Sequence, residues 1–269
     1  MSNRMRTTLL SLALVSGAAL ALAIGSCSGV PGNAEGAAKK LLHAHGGAAA
    51  VARLDDYVGL GFIKDLSSET VARSFAFDVF RKGQLYKHKI MAAPKGALTD
   101  VIVIFFDGKT SREWSKGKGI TTIPPMELGV LKYRFPDVIA WMQGPDRAGE
   151  ILPVGKGDPA VRLRYRDEGN VVTLSIDRTS WLLDSVAVAA AGDSTAWFTE
   201  RYRYYTDVDG IPFPQEFVGS YRGTPYYEYV LSSIRLDPNI PDSLLTVTAE
   251  DTAFAVKPPP AEKPAAPKR

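Results

Sequence analysis

The chain holds one cysteine and three histidines in 269 residues, and its charges nearly cancel. A single thiol excludes an intramolecular disulfide framework and a multi-thiolate metal site. The three histidines, His43, His45 and His88, leave little for a histidine-rich one. On a helix His43 and His45 point about 200° apart, so one face does not present both to a single ion. Neither a metal nor a cofactor is expected. With 32 Lys+Arg against 29 Asp+Glu there is no basic excess, and a protein that holds nucleic acid by neutralising phosphates needs one. Motifs for catalysis are equally scarce. Gly59-x-Gly61, Gly117-x-Gly119 and Gly155-x-Gly157 lack the third glycine and the following helix of a dinucleotide loop. Asp55-Asp56 reads as a turn or helix-end pair, since adjacent carboxylates diverge. No Ser/His/Asp set has supporting context, so the chain is not expected to be an enzyme. What is present is ordinary: 45% hydrophobic and 23% charged residues, the composition of a folded globular domain rather than a disordered chain.

The first segment sets the expected compartment. Arg4 and Arg6 precede residues 7–26, a 20-residue run without charge that is rich in Leu, Val and Ile. This is the layout of a secretory leader, although a run of that length also suffices for a bilayer-spanning anchor. It ends in Ile24-Gly25-Ser26-Cys27, which resembles a bacterial lipobox, in which the cysteine is acylated and becomes the new N-terminus. Cys27 is therefore the expected lipidation site. Loss of Arg4 and Arg6 with the leader leaves 30 basic against 29 acidic residues, a net +1. Ser28 and Gly29 lack the aspartate of the inner-membrane retention rule, which favours the outer membrane, facing the periplasm. Gly25-Ser26-Cys27-Ser28-Gly29 also has the spacing of a nucleophile elbow, but an elbow needs a strand before it and a helix after it. Here a leader precedes it and a Pro/Gly-rich linker follows, so the elbow is rejected. The expected organisation is a signal peptide at 1–26, a linker at 27–33, one domain at 34–256, and a Pro-rich extended tail at 257–269.

Within the domain the period of the pattern changes once. Residues 34–54 are Ala-rich and interrupted by Gly46-Gly47, which predicts two short helices. From Tyr57 onward the period is two. Phe75, Phe77 and Val79 alternate with smaller or polar residues. Tyr86, His88 and Ile90 oppose Lys87 and Lys89, and Val161, Leu163 and Tyr165 oppose Arg162, Arg164 and Arg166. Val172, Leu174 and Ile176 form a further apolar face. Phe198, Tyr202 and Tyr204 share one strand face, and Phe213, Phe217 and Tyr221 another. Val101–Phe106 is continuously apolar, as for a strand covered on both faces. Asp107-Gly108, Asp209-Gly210 and Arg222-Gly223 mark reversals. Residues 115–125, rich in Gly and Lys, read as a flexible loop. Met126–Met142 is strongly apolar and divided by Pro136, predicting two helical pieces. The sum is an α+β chain, mainly antiparallel β. About ten sequential strands form a single curved sheet, an incomplete (half-open) β-barrel covered by helices.

Several stretches resemble the LolA/LolB-like superfamily of periplasmic lipoprotein carriers, which includes outer-membrane lipoprotein-sorting and lipid-binding lipoproteins. One is His45-Gly46-Gly47 with Ala52-Arg53-Leu54 and residues 57–61. The other is Tyr204–Pro214, carrying Asp209-Gly210, followed by Ser233–Leu244 with its Asp237-Pro238. Leu244-Leu245 stand where such proteins usually have Phe. The resemblance implies an open β-barrel with a helical lid and an apolar cavity for acyl chains, and it brings no catalytic motif.

A curved sheet has no second sheet to fill its concave side, so that face meets either helices or a ligand. The candidate cavity residues are Phe75, Phe77, Val79, Leu131, Trp141, Val172, Leu174, Phe213 and Phe217. The expected function is an envelope lipoprotein, membrane-anchored through Cys27, that binds or carries acyl chains of lipids or lipoproteins. The alternative is a non-enzymatic scaffold that binds a protein partner in an envelope complex.

Overall fold

The computed structural model describes residues 30–66, 73–83, 85–92, 100–107, 109–122, 132–142, 149–155, 157–249 and 251; the side chains of 73–77, 92 and 100 are outside that description. Cys27, Leu131 and the proposed Pro-rich tail lie outside the described residues, as do the side chains of Phe75 and Phe77.

Helix α1 (Ala34–Ala44) begins where the Asn33 side chain accepts from the Gly36 amide at 2.8 Å, an N-cap that satisfies one of the orphan donors of the first turn. Ala37, Ala38 and Leu41 form its buried side. Gly46 and Gly47, at φ of +88° and +86°, break the helix where a side chain would be strained. Helix α2 (Ala48–Arg53) follows, as the glycine pair predicts.

Among the described residues, thirteen strands then form one antiparallel sheet. The first six are β1 (Asp56–Asp65), β2 (Arg73–Lys82), β3 (Leu85–Ala92), β4 (Asp100–Phe106), β5 (Ser111–Ser115) and β6 (Gly119–Thr122). The other seven are β7 (Gly149–Leu152), β8 (Ala160–Asp167), β9 (Asn170–Asp177), β10 (Leu183–Ala190), β11 (Phe198–Val208), β12 (Ile211–Tyr221) and β13 (Thr224–Leu236). Their spatial order is β6-β5-β4-β3-β2-β1-β13-β12-β11-β10-β9-β8-β7. Two meanders are thus joined at the centre by the first and last strands, with Tyr57 opposite Leu236 and Phe62 opposite Val230. The open edges, β6 and β7, flank the middle of the chain. The stretch between them carries the third helix, α3 (Asp137–Trp141).

Curvature follows from contacts across the sheet. His88 on β3 and Tyr229 on β13 are three strands apart, about 14 Å on a flat sheet at roughly 4.8 Å per strand. Their ring centroids are 5.3 Å apart, so the sheet curls around its concave side. Alternation holds on β8 and β9 as the sequence predicts: Val161, Leu163 and Tyr165 are buried on β8, and Val172, Leu174 and Ile176 on β9. The Asp209-Gly210 and Arg222-Gly223 reversals have two successive positive φ values each, the geometry of tight hairpin turns.

Four expectations need correction. The strands number thirteen among the described residues, because β5, β6 and β7 are too short to show a period. Residues 119–122 are a strand paired with β5, not loop. Of the 126–142 stretch, 126–131 lies outside the described residues; within 132–142, 132–136 is non-helical and the helical piece after Pro136 is the five-residue α3. Tyr204 does not share a face with Phe198 and Tyr202. It sits at φ +53° with 68% of its surface exposed, and Tyr205 turns inward in its place.

The convex side has a cover of its own. After β13 the chain passes Ile240, a 3-10 turn at Asp242–Leu245 and Val247 to Asp251. Val247 packs on Val101, Val103 and Phe105 of β4, with Met91 and Trp114 alongside. Asp251 takes Lys87 at 2.6 Å and Lys89 at 3.2 Å, all three buried. Val101–Phe106 is apolar throughout because this segment covers one face while Phe106 lines the concave cavity on the other.

Candidate functional site

Residues 132–142 lie on the concave face, each turn tied to the sheet. Lys132 reaches Asp167 at 2.8 Å and Glu168 at 2.7 Å. The Tyr133 hydroxyl donates to Asp167 Oδ2 at 2.7 Å. The Phe135 amide donates to the Tyr202 hydroxyl at 3.0 Å, and its ring packs edge-on against Phe213 at 5.0 Å. Trp141 stacks edge-to-face on Tyr133 and Tyr165. Arg81, from β2, pairs with Asp137 and with Asp55.

Between this segment and β1–β3, β12 and β13 remains a cavity of about 670 Å³, within the roughly 300–1,000 Å³ of small-molecule sites. Its wall is mostly apolar: Tyr57, Val79, Tyr86, Phe106, Phe213, Phe217, Tyr229 and Leu231 from the sheet, with Phe135, Ala140 and Trp141 from the insertion. Arg81, His88, Lys132, Arg134 and Asp137 interrupt it, and Asp55 and Lys109 stand at its rim.

The most demanding polar feature is Arg134. Its Nε donates to Glu200 Oε1 at 2.9 Å, its Nη2 stands 2.8 Å from the same oxygen as an ion pair, and Glu200 is fully buried. The Tyr227 hydroxyl donates to the same oxygen, and the guanidinium lies 5.4 Å from the Tyr227 ring and 5.8 Å from that of Tyr229. Burial alone would favour a neutral arginine, but Glu200 overrides it and holds the pKa well above the ordinary value. His88 is driven the other way. Burial, and secondarily the charge of Arg134, pull its pKa down to about 3, so the ring in the wall is neutral. Burial also raises the Tyr86 and Tyr229 hydroxyls, which stay protonated.

Among the sequence-derived cavity candidates, Val79, Trp141, Phe213 and Phe217 line this space. Val172 and Leu174 are fully buried on β9, further along the sheet, and are not part of its wall. The polar members escaped the sequence reading. Glu200 had a readable signal, since it occupies the inward position between Phe198 and Tyr202, where an acid demands a partner. Arg134 had none, because its segment carries no period that fixes a face. Among the described residues no three of His, Cys, Asp or Glu gather as a metal-binding group.

No family model and no curated protein matches the sequence. Solved structures do. A LolA superfamily protein from Nitrosomonas europaea superposes with a TM-score of 0.54 at 13% identity, covering 78% of this chain and 97% of its own. A putative outer membrane lipoprotein-sorting protein domain from Vibrio parahaemolyticus gives 0.52 at 11% identity, covering 81% and 100%. A DUF1329 family protein from Desulfovibrio piger gives 0.53 at 10% identity, covering 79% and 96%. The chain has a LolA-like fold.

Proposed function

We propose that this protein is a non-enzymatic envelope lipoprotein, anchored through an acylated Cys27, whose domain binds or carries the acyl chains of lipids or lipoproteins. The observation that carries the reading is the cavity of about 670 Å³ between the curled sheet and residues 132–142, walled largely by aromatic and aliphatic side chains. An apolar cavity gains from an acyl chain about 25 cal/mol per Å² of surface removed from water. The likeness to a lipoprotein-sorting domain and a LolA superfamily protein supports the reading. So does the lipobox-like Ile24–Cys27 after an uncharged leader, which favours the outer membrane, facing the periplasm. The proposed layout is a cleaved leader at 1–26, a linker at 27–33, the binding domain at 34–256 and a Pro-rich tail beyond.

The test is displacement of an environment-sensitive fluorescent acyl probe. Phe217→Asp places a charge on the apolar wall and should abolish uptake. Arg164→Ala, which only breaks an exposed pair with Glu150 on the outer side of β8, should not. Absence of uptake in the wild-type chain, after detergent stripping, overturns the reading. For the anchor, metabolic labelling with a palmitate analogue should tag the protein, and labelling that survives Cys27→Ala refutes it. A second reading, a scaffold for an envelope protein partner, is favoured by Phe62 and Val230. These register partners at the β1–β13 junction remain exposed on the surface.

A further inference from the structure

The wall of the cavity carries cations, yet they are already taken. Arg81 is flanked by two carboxylates, Asp55 and Asp137. Lys132 is flanked by Asp167 and Glu168, and Arg134 is held by the buried Glu200. His88 is neutral. Lys109 stands at the exposed rim, in water. The fixed charge around the inner wall is therefore zero or negative, although positively charged side chains line it.

Donors are left over all the same. Glu200 occupies the Nε and Nη2 edge of Arg134, and no described residue accepts from Nη1. Tyr57 and Tyr86 both line the cavity, and neither hydroxyl is committed to an acceptor in the way that the Tyr133 and Tyr227 hydroxyls are. The three groups come from β1, β3 and the 132–142 segment and line the same cavity. A cluster of hydrogen-bond donors without net positive charge thus sits in an aromatic pocket.

Resting on the carrier reading above, we propose that the cavity selects uncharged acyl lipids, with an ester or amide carbonyl accepting from Arg134, Tyr57 and Tyr86, and discriminates against ionised heads such as a carboxylate. A carbonyl asks only for donors and is satisfied by them. An anion buried there finds no unpaired cation and faces Asp55, Asp137 and Glu200 instead, which makes its desolvation uncompensated.

The experiment uses the purified full chain in a steroid detergent, which has no acyl chain to compete. A fluorescent acyl ester is displaced at pH 7.5 by dodecanoic acid or by its monoglyceride, each below its micelle concentration. The monoglyceride should compete at least tenfold better. Glu200→Gln leaves Arg134 with an unneutralised charge and should narrow that ratio at least tenfold by improving the acid. Because this variant alters a buried pair, Tyr86→Phe serves as the second. It keeps the ring and should weaken the monoglyceride severalfold while leaving the acid unchanged. An acid that competes as well as or better than the ester against wild type overturns the selectivity while leaving the carrier reading intact. So does a ratio that neither variant moves. If neither compound nor the probe binds, the carrier reading falls and this inference falls with it.

Discussion

Mild acid should destabilise this protein through His45 and His88. His45, fully buried, packs between Phe135 and Tyr205, and its Nδ1 lies 3.0 Å from the Leu41 carbonyl. Burial pulls its pKa down to about 4, against the smaller raising effect of that carbonyl. His88, 4% exposed, is pulled to about 3. In the unfolded chain both titrate near 6.5. Below that value the unfolded state binds more protons than the folded one, so stability falls as pH falls, until the folded pKa is reached. The stabilisation is complete above pH 6.5. It is lost at about 1.4 kcal/mol per pH unit for each group. At pH 5 each histidine therefore costs about 2 kcal/mol. For a chain of this size that is roughly 4–8 °C in Tm per histidine. Asp107, Asp177 and Asp251 have lowered pKa values, held down by hydrogen bonds or lysine charge; their contribution is lost only further into acid. Thermal unfolding followed by circular dichroism at pH 7.5, 6 and 5 should show the drop in wild type. His88→Phe and His45→Gln should each remove about half of it, and the double variant nearly all. A double variant that keeps the wild-type slope between pH 6.5 and 5 refutes the assignment to buried neutral histidines.

Three further perturbations separate the contributions of other parts of the fold. Arg134→Met leaves the fully buried Glu200 without its cation and should cost about 3–5 kcal/mol in urea unfolding, whereas Arg134→Met with Glu200→Met should recover most of it; a double variant as unstable as the single would contradict the pairing. Gly219→Ala drives a Cβ into the Tyr227 ring, which should lower stability by about 1–3 kcal/mol; an unchanged urea midpoint would show that Tyr227 is free to move. Asp251→Asn should leave the buried Lys87 without its carboxylate and loosen residues after 236, read as faster limited proteolysis of that segment; equal protection in both proteins would mean that Val247 and its neighbours hold it alone.

What could be read in the chain and what could not divide by range. Val161–Tyr165 and Val172–Ile176 declare their faces because side chains of a strand alternate whatever lies beyond it. Asp209-Gly210 and Arg222-Gly223 mark reversals because few residues tolerate consecutive positive φ. Gly46-Gly47 divides α1 from α2 for the same reason. The aromatic positions Phe213 and Phe217 were readable as one face, and that face lines the cavity.

The polar half of the site was not readable, since its partners are remote. Arg134 and Glu200 are 66 residues apart, and Lys87 and Asp251 are 164 apart. Nothing in the local pattern of Lys87 and Lys89 distinguishes a solvated strand face from one sealed by a distant carboxylate. Tyr204 obeys the strand period in sequence and leaves it in space, because a single residue at φ +53° moves the inward role to Tyr205. By itself the sequence determined the two N-terminal helices, most of the strands, their faces and their turns, each a consequence of backbone geometry within a few residues. The pairing of β1 with β13, the curl that brings His88 to Tyr229, and the neutralised donors of the cavity were decided only in the tertiary structure, where groups far apart in the chain satisfy one another.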